Sequence, residues 1–446
     1  MIRIPEYLQY SLTMILSFIL SFAATPLVRR IAIKAGVLDM PDNDRRIHKI
    51  PIAKMGGIAI AFGFLAVVLI NYVLKQFHIV KLMPPDKQLF GLLIGLSLIM
   101  IMGFLDDLYE IPAFLKFGFQ FAAAGAVIFS GTLIQTFTNP FDPAGWITLD
   151  PIIAIIITLL WIVGITNAIN FIDGLDGLAA GVSAISLISI FIISIIIGTK
   201  DMLTGSILVA ALVGSILGFL PFNINPAKIF MTDIGSNFIG FALAVISIQG
   251  ALKSYAAVAL AIPILVFGIP LFDVIFAIVR RVKNRKKITE PDRGHLHHRL
   301  LDLGFSQKQV VIILYIVSAV MGAFAIVFIM VLNKRVARED SIYALFLIVG
   351  VSVLLTIGVK YVSYLSTKKD EEDNELVEAA EPGTSAEPGA SAEPGVSAEP
   401  NREIYNEEQC NEISYILDTG AVVAHAIDTG VLEAGVFAAD VLEGDK

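Results

Sequence analysis

Runs of about twenty apolar residues recur along the chain, separated by short polar segments. They lie near 8–28, 56–74, 89–105, 114–134, 151–166, 178–198, 202–222, 238–254, 256–279, 310–332 and 341–362. Each is long enough to cross a hydrocarbon core of about 30 Å as a helix. The pattern predicts an all-α, polytopic membrane bundle of ten or eleven transmembrane helices. The first run has no basic leader and no convincing cleavage site, so it is read as a retained span.

The polar segments set the orientation. Arg29, Arg30, Lys34, Arg45, Arg46, Lys49 and Lys54 follow the first run, and Arg280 to Lys308 form a second basic segment after the ninth. The segment 135–150 has neither Lys nor Arg. The positive-inside rule makes the basic segments cytoplasmic and the N-terminus external. The segment 333–340, with three basic residues, is a mild exception.

Composition agrees with a membrane chain: 16% of residues are charged, against about 25% in soluble domains. The net charge of -8 hides a division. Residues 367–446 carry 20 acids and 4 bases, while the first 366 carry 20 acids and 28 bases. A basic membrane domain (1–366) suits anionic substrates and lipid headgroups. The acidic tail (367–446) contains the repeat AEPGTSAEPGASAEPGVSAEP at 380–400 and is expected to be disordered. Cys410, the one cysteine, excludes an intrachain disulfide and a multi-cysteine metal site.

Polar clusters punctuate the apolar runs, and all fall on the cytoplasmic side by parity: HKIPIAKMGG (48–57), GFLDD (103–107), ITNAINFIDGLDG (165–177), FNINPAKIFMTDIGSN (222–237) and DRGHLHHRL (292–300). Asp106 and Asp107 would point about 100° apart on a helix. At its end they converge on a cation or phosphate, or simply cap it in water. Lys116 either contacts phosphate or snorkels to headgroups. Asn167, Asn170, Asp173 and Asp176 step by three, so one continuous helix cannot aim all four at one point; Gly174 and Gly177 offer a break. Asp233 and Ser236 are each a helix N-cap or a site residue. His295, His297 and His298 suit recognition of a charged substrate better than structural zinc, for no Cys or Glu partner lies close by. Asp273 lies inside the ninth run with no legible partner. Acids and amides with lysines and histidines around them suit Mg2+ and pyrophosphate chemistry.

GFLDDLYEIPAFLK, NAINFIDGLDGLAAG, FMTDIGSNFIGF and GHLHHRL, in this order, resemble the motifs of the polyprenyl-phosphate N-acetylhexosamine-1-phosphate transferases, over roughly residues 1–330. The resemblance implies transfer of N-acetylglucosamine 1-phosphate from UDP-N-acetylglucosamine to undecaprenyl phosphate, with release of UMP. The setting it implies is the cytoplasmic face of a bacterial plasma membrane, at the first membrane step of an envelope glycan such as teichoic acid or O-antigen. The HLHH pattern is similar to the N-acetylglucosamine branch; the phospho-N-acetylmuramoyl-pentapeptide branch is the alternative. Carried over by motif, Asn170 and Asp233 would hold Mg2+ (or Mn2+), Asp106 and Asp107 would sit by the lipid phosphate, and Lys116 would contact the diphosphate. Asp176 and Phe230 would bind uracil, Lys49 would lie near the nucleotide, and the three histidines would address sugar and phosphate. Asp173 and Asn167 fall in the same motif, as catalytic and substrate-binding residues respectively. Expected partners are the two substrates and membrane lipids, with a second copy of the chain as a candidate, an unidentified tail partner and no nucleic acid. The chain departs from the pattern at Thr232, where many members have Gly; its side chain is expected to crowd the metal loop. A secondary transporter would instead place its ionisable groups near the bilayer midplane, in two repeats of broken helices.

Overall fold

The computed structural model describes residues 4–41, 50–139, 142–250 and 296–333. Nine of the predicted runs fall there, the eighth as far as residue 250, and each is a helix: α1 (Glu6–Lys34), α2 (Gly57–Gln76), α3 (Asp86–Tyr109), α4 (Ala113–Phe129), α5 (Pro151–Phe171), α6 (Leu178–Ile197), α7 (Lys200–Asn223), α8 (Thr232–Gly250) and, after the short α9 (Leu296–Asp302), α10 (Gln307–Asn333). Among the described residues, eight are long and apolar enough to cross a membrane; α4, at 17 residues, is shorter. The runs at 256–279 and 341–362, Asp273 and the tail lie outside the described residues.

Two short antiparallel hairpins, β1 (Leu38–Asp39) with β2 (Ile52–Ala53) and β3 (Thr136–Asn139) with β4 (Asp142–Thr148), add to the all-α reading. They occupy connections between spans, where no apolar periodicity announces them. Helix α3 runs on to Tyr109, so Asp106 and Asp107 lie in its last turn and not beyond it. Glu110 closes α3 in the left-handed conformation, its N–H donating to the Asp106 carbonyl.

Helix α1 shows how the bundle packs without water. Gln9, Thr13, Ser17, Ser21, Thr25 and Arg29 recur every fourth residue and are all buried, whereas Leu12, Ile15, Ile19 and Phe22 face outward. In lipid no hydrophobic gain separates inside from outside, so small and hydrogen-bonding residues take the interior. A Cβ on Gly214 of α7 would come within 2.1 Å of the Met14 carbonyl, and one on Gly63 of α2 within 2.9 Å of the Ser17 carbonyl. The stripe ends in a polar lock, in which Gln9 Nε2 donates to Asn71 Oδ1 (3.0 Å) and to the Leu82 carbonyl (2.9 Å).

Close packing also positions the opposite end of the bundle. The segment before α2 pairs with the one before α8. Phe230 N–H donates to the Ala53 carbonyl (2.8 Å), Gly56 N–H to the Phe230 carbonyl (2.8 Å) and Gly57 N–H to the Met231 carbonyl (3.0 Å). A Cβ on Gly57 would lie 2.2 Å from the Gly235 nitrogen, and one on Gly103 would lie 2.6 Å from the Ile234 Cα. These are backbone atoms that no rotamer change can clear. Gly57→Ala is therefore expected to destabilise the bundle by about 1–3 kcal/mol. Gly118→Ala, where a Cβ meets nothing within 4 Å, is the neutral control. Thermal unfolding of the two purified variants in detergent checks this, and equal unfolding temperatures would contradict it.

Candidate active site

The helix ends that carry the polar motifs meet at that same end of the bundle. Helix α5 starts where Asp150 accepts from Ile152 N–H and Pro151 takes the first helical position, and it runs to Phe171. Asn167 and Asn170 are on its last turns, and Asp173 and Asp176 follow in the connection to α6. Gly177, at φ +77°, makes the left-handed turn that a side chain would strain. Its N–H donates to Asn223 Oδ1 (3.1 Å) and its carbonyl accepts from the Tyr315 hydroxyl of α10 (2.5 Å). The break predicted from the two glycines thus rests on Gly177, held from α7 and α10.

Four helices contribute to one charged centre. Lys116 Nζ of α4 lies 2.6 Å from Asp106 Oδ2 of α3 and 3.0 Å from Asp233 Oδ2 in the first turn of α8. Asn170 Nδ2 of α5 donates to Asp233 Oδ1 (3.0 Å) and to Ser236 Oγ (2.9 Å). Asp107 accepts a 2.5 Å hydrogen bond from the Thr232 hydroxyl. The Thr232 side chain reaches across to α3, while its backbone stands at φ +59°, a conformation that a side chain strains.

Asn167 is turned to Gln120, to which its amide donates (2.7 Å), and Gln120 in turn donates to Asn237 Oδ1 (3.3 Å). It supports the centre from one turn below and does not line the cavity. Asp176 accepts from Asn225 Nδ2 (2.9 Å) and Ala227 N–H (3.1 Å), and Asn225 also donates to Gln307 at the start of α10 (2.8 Å). Lys49 and His295 lie outside the described residues. His297 and His298 are on α9, whose side chains at these positions are likewise undescribed. The sequence reading did not single out Gln120, Asn225, Gln307, Tyr315 or the role of Lys54. None sits in a distinctive local pattern, and Asn225 alone had a signal, as the second Asn of FNINP.

A cavity of about 640 Å³ opens on this centre. Asp39 and Glu110 join the five acids already named in lining it, and Lys54, 3.5 Å from Asp39, is the lysine among the lining residues. Phe230, Asp176 and Asn225 also line the cavity. Among the described residues no three His, Cys, Asp or Glu side chains form a ready metal cluster. That donor set still fits Mg2+, which takes one or two protein ligands and completes its shell with substrate phosphates and water. Asp233 offers a carboxylate and Asn170 its carboxamide oxygen. Ionised acids around the cavity repel phosphates, and a bound cation would offset that charge.

Asp173 lies in the connection between α5 and α6, ringed by protein although it opens on the cavity. Burial pushes its carboxyl well above the usual range, and the charges of Asp233, Asp107 and Asp176 push the same way. The folded state thus holds the Asp173 proton more tightly than the unfolded chain, whose carboxyl titrates near about 3.9. Ionising it weakens the fold as pH rises above that value. In metal-free detergent, Asp173→Asn is expected to unfold at a higher temperature than the wild type at pH 8 and at nearly the same temperature near pH 4. A gap that does not shrink on acidification would contradict this origin.

Fold and site together define a polytopic helical membrane protein whose polar chemistry sits at helix ends on one side of the bundle. The chain belongs to glycosyl transferase family 4. The model of that family matches residues 89–251, which run from α3 past the end of α8 and include every charged residue of the Lys116 centre. A Bacillus subtilis (strain 168) relative named probable undecaprenyl-phosphate N-acetylglucosaminyl 1-phosphate transferase is 37% identical over 317 residues, covering 70% of this chain and 83% of its own length. The decaprenyl-phosphate N-acetylglucosaminephosphotransferase of Mycobacterium tuberculosis (strain H37Rv) is 32% identical over 314 residues, 67% of this chain and 77% of its own. The undecaprenyl-phosphate alpha-N-acetylglucosaminyl 1-phosphate transferase of Haemophilus influenzae is 32% identical over 327 residues, 71% and 86%.

Proposed function

We propose that this protein transfers N-acetylglucosamine 1-phosphate from UDP-N-acetylglucosamine to undecaprenyl phosphate and releases UMP, at the cytoplasmic face of a bacterial plasma membrane. The observation that carries the reading is the Asp106–Lys116–Asp233–Asn170 centre on helix ends, whose Asp106 and Asp233 line an acidic cavity. The relatives' names supply the sugar and the lipid, and favour this branch over the phospho-N-acetylmuramoyl-pentapeptide one. The Lys and Arg bias of the connecting segments supports the cytoplasmic side. A transporter reading is disfavoured because the charged groups gather at one end of the bundle, away from its middle.

In the proposed reaction an oxygen of the lipid phosphate attacks the β-phosphorus of the UDP-sugar. A new P–O–P bond forms, the bond from that phosphorus to the bridging oxygen breaks, and UMP leaves with the oxygen. Much of a phosphate monoester is already dianionic at neutral pH, its second pKa being about 6. Asp106 and Asp107 therefore position the acceptor and need not deprotonate it. Lys116 lies where it can leave the two carboxylates for the diphosphate. Asn170 and Asp233 would hold Mg2+, which when bound offsets charge on the pyrophosphate and on departing UMP. Among the described residues the contacts to Asp176 fall on Oδ2, so Oδ1 would be the oxygen to accept from the N3–H of uracil, and Phe230 would stack on the ring. His295, His297 and His298 would address the sugar phosphate. The test is UMP release by purified protein given undecaprenyl phosphate and a panel of UDP-sugars, with and without EDTA. Selective release with UDP-N-acetylglucosamine supports the proposal, and none with any UDP-sugar refutes it.

A further inference from the structure

Thr232 stands at φ +59°, in the left-handed region. Met55, His78 and Glu110 are the other non-glycine residues found there among those described, so Thr232 is the one β-branched case. A β-branched residue is an outlier in that conformation, and glycine would adopt it freely. The backbone here is over-determined. Gly57 N–H holds the Met231 carbonyl, the Ser236 hydroxyl bonds the Thr232 carbonyl (3.0 Å), and α8 starts at this residue. The strain is offset by something the side chain does.

The Thr232 hydroxyl lies 2.5 Å from Asp107 Oδ2 and 2.8 Å from the Met231 carbonyl. It has one proton to give, and the Met231 carbonyl already accepts from Gly57, so the shorter contact to the carboxylate takes it. Asp106 is held by Lys116, while among the described residues Thr232 is the hydrogen-bonding partner of Asp107. We infer that Thr232 is a positioning residue, whose hydroxyl fixes the Asp107 carboxylate across the cavity wall toward the acceptor lipid phosphate. This rests on the function proposed above. It ties the α3 acid to the residue preceding Asp233, so that acceptor and donor phosphates are registered by a single backbone position.

Three variants test it, assayed for turnover and for the Michaelis constants of polyprenyl phosphate and UDP-sugar, with half-saturating Mg2+ measured alongside. Thr232→Val keeps the shape and removes the hydroxyl. It is expected to lose about tenfold of kcat/KM for the lipid phosphate, the value of one hydrogen bond to a charged group, with the UDP-sugar constant and the Mg2+ requirement unchanged. Thr232→Ser restores the hydroxyl and is expected to stay within about twofold of wild type, since the same bond is kept. Thr232→Gly relieves the strain as it removes the hydroxyl, so it is expected to fold and still lose activity as Val does, which keeps the test open should Val fail to fold. Wild-type kinetics in Val or Gly, a Ser variant as impaired as Val, or a shifted Mg2+ requirement would each overturn the inference alone. A wild-type protein inactive with every UDP-sugar would instead overturn the function on which it rests.

Discussion

Asp233→Asn is expected to lose on the order of 10²–10³-fold of turnover, the scale for removing a charge-stabilising group at a reacting centre, while inserting and folding like the wild type. The carboxamide matches the carboxylate in size, and Asp233 lies in the first turn of α8 with its backbone carbonyl bonded to Asn237 (2.9 Å). What changes is charge. Asp233 accepts from Lys116 on one oxygen and from Asn170 on the other, and an amide can keep only one of those contacts as acceptor. The proposed cation would lose its carboxylate ligand and retain only Asn170. Turnover assayed against Mg2+ concentration checks this, with circular dichroism and thermal unfolding as folding controls. Near-normal turnover at limiting Mg2+, or full wild-type turnover in excess EDTA, would sink the assignment.

Lys116→Met is expected to lower turnover on the order of 10²-fold, by the loss of a positioned cation from a phosphoryl-transfer site. It is also expected to move two equilibria in opposite directions. The ammonium bridges Asp106 and Asp233 at 2.6 and 3.0 Å, so it competes with any divalent cation for the Asp233 carboxylate. Without it the centre is more negative: Mn2+ should bind more tightly, and the anionic UDP-sugar more weakly. Mn2+ titration followed by electron paramagnetic resonance reads the first, and the Michaelis constant reads the second. Unchanged values of both would show that the bridge has no part in substrate or metal binding.

The Lys116 bridge also shows where reading the chain stops. Asp106, Asp107 and Lys116 are visible as candidates, but Asp233, which the lysine joins to Asp106, is more than a hundred residues away. The chain by itself offers the lysine a phosphate or a headgroup; its bridge between two carboxylates needs α3, α4 and α8 side by side. The Thr232 side chain could be read only as an intrusion into its own loop; its hydrogen bond to Asp107 needs the packing of Gly103 against Ile234 that brings α3 to α8. The tie of Asp176 to Asn225 and Gln307 likewise joins three separate segments.

The sequence by itself determined the spans, because crossing a bilayer demands about twenty apolar residues whatever their neighbours. It determined that polar motifs cap those spans, and that the chain breaks near Gly177, since stepping four polar groups by three takes them halfway round a helix. The tertiary structure alone decided how each span is rotated and whom its polar groups meet. Lipid and protein interior are about equally apolar, so hydropathy along the chain carries no direction. Helix α1 buries Ser17, Ser21 and Thr25 and turns Ile15, Ile19 and Phe22 outward, because close approach of backbones, and not escape from water, chooses the inner face.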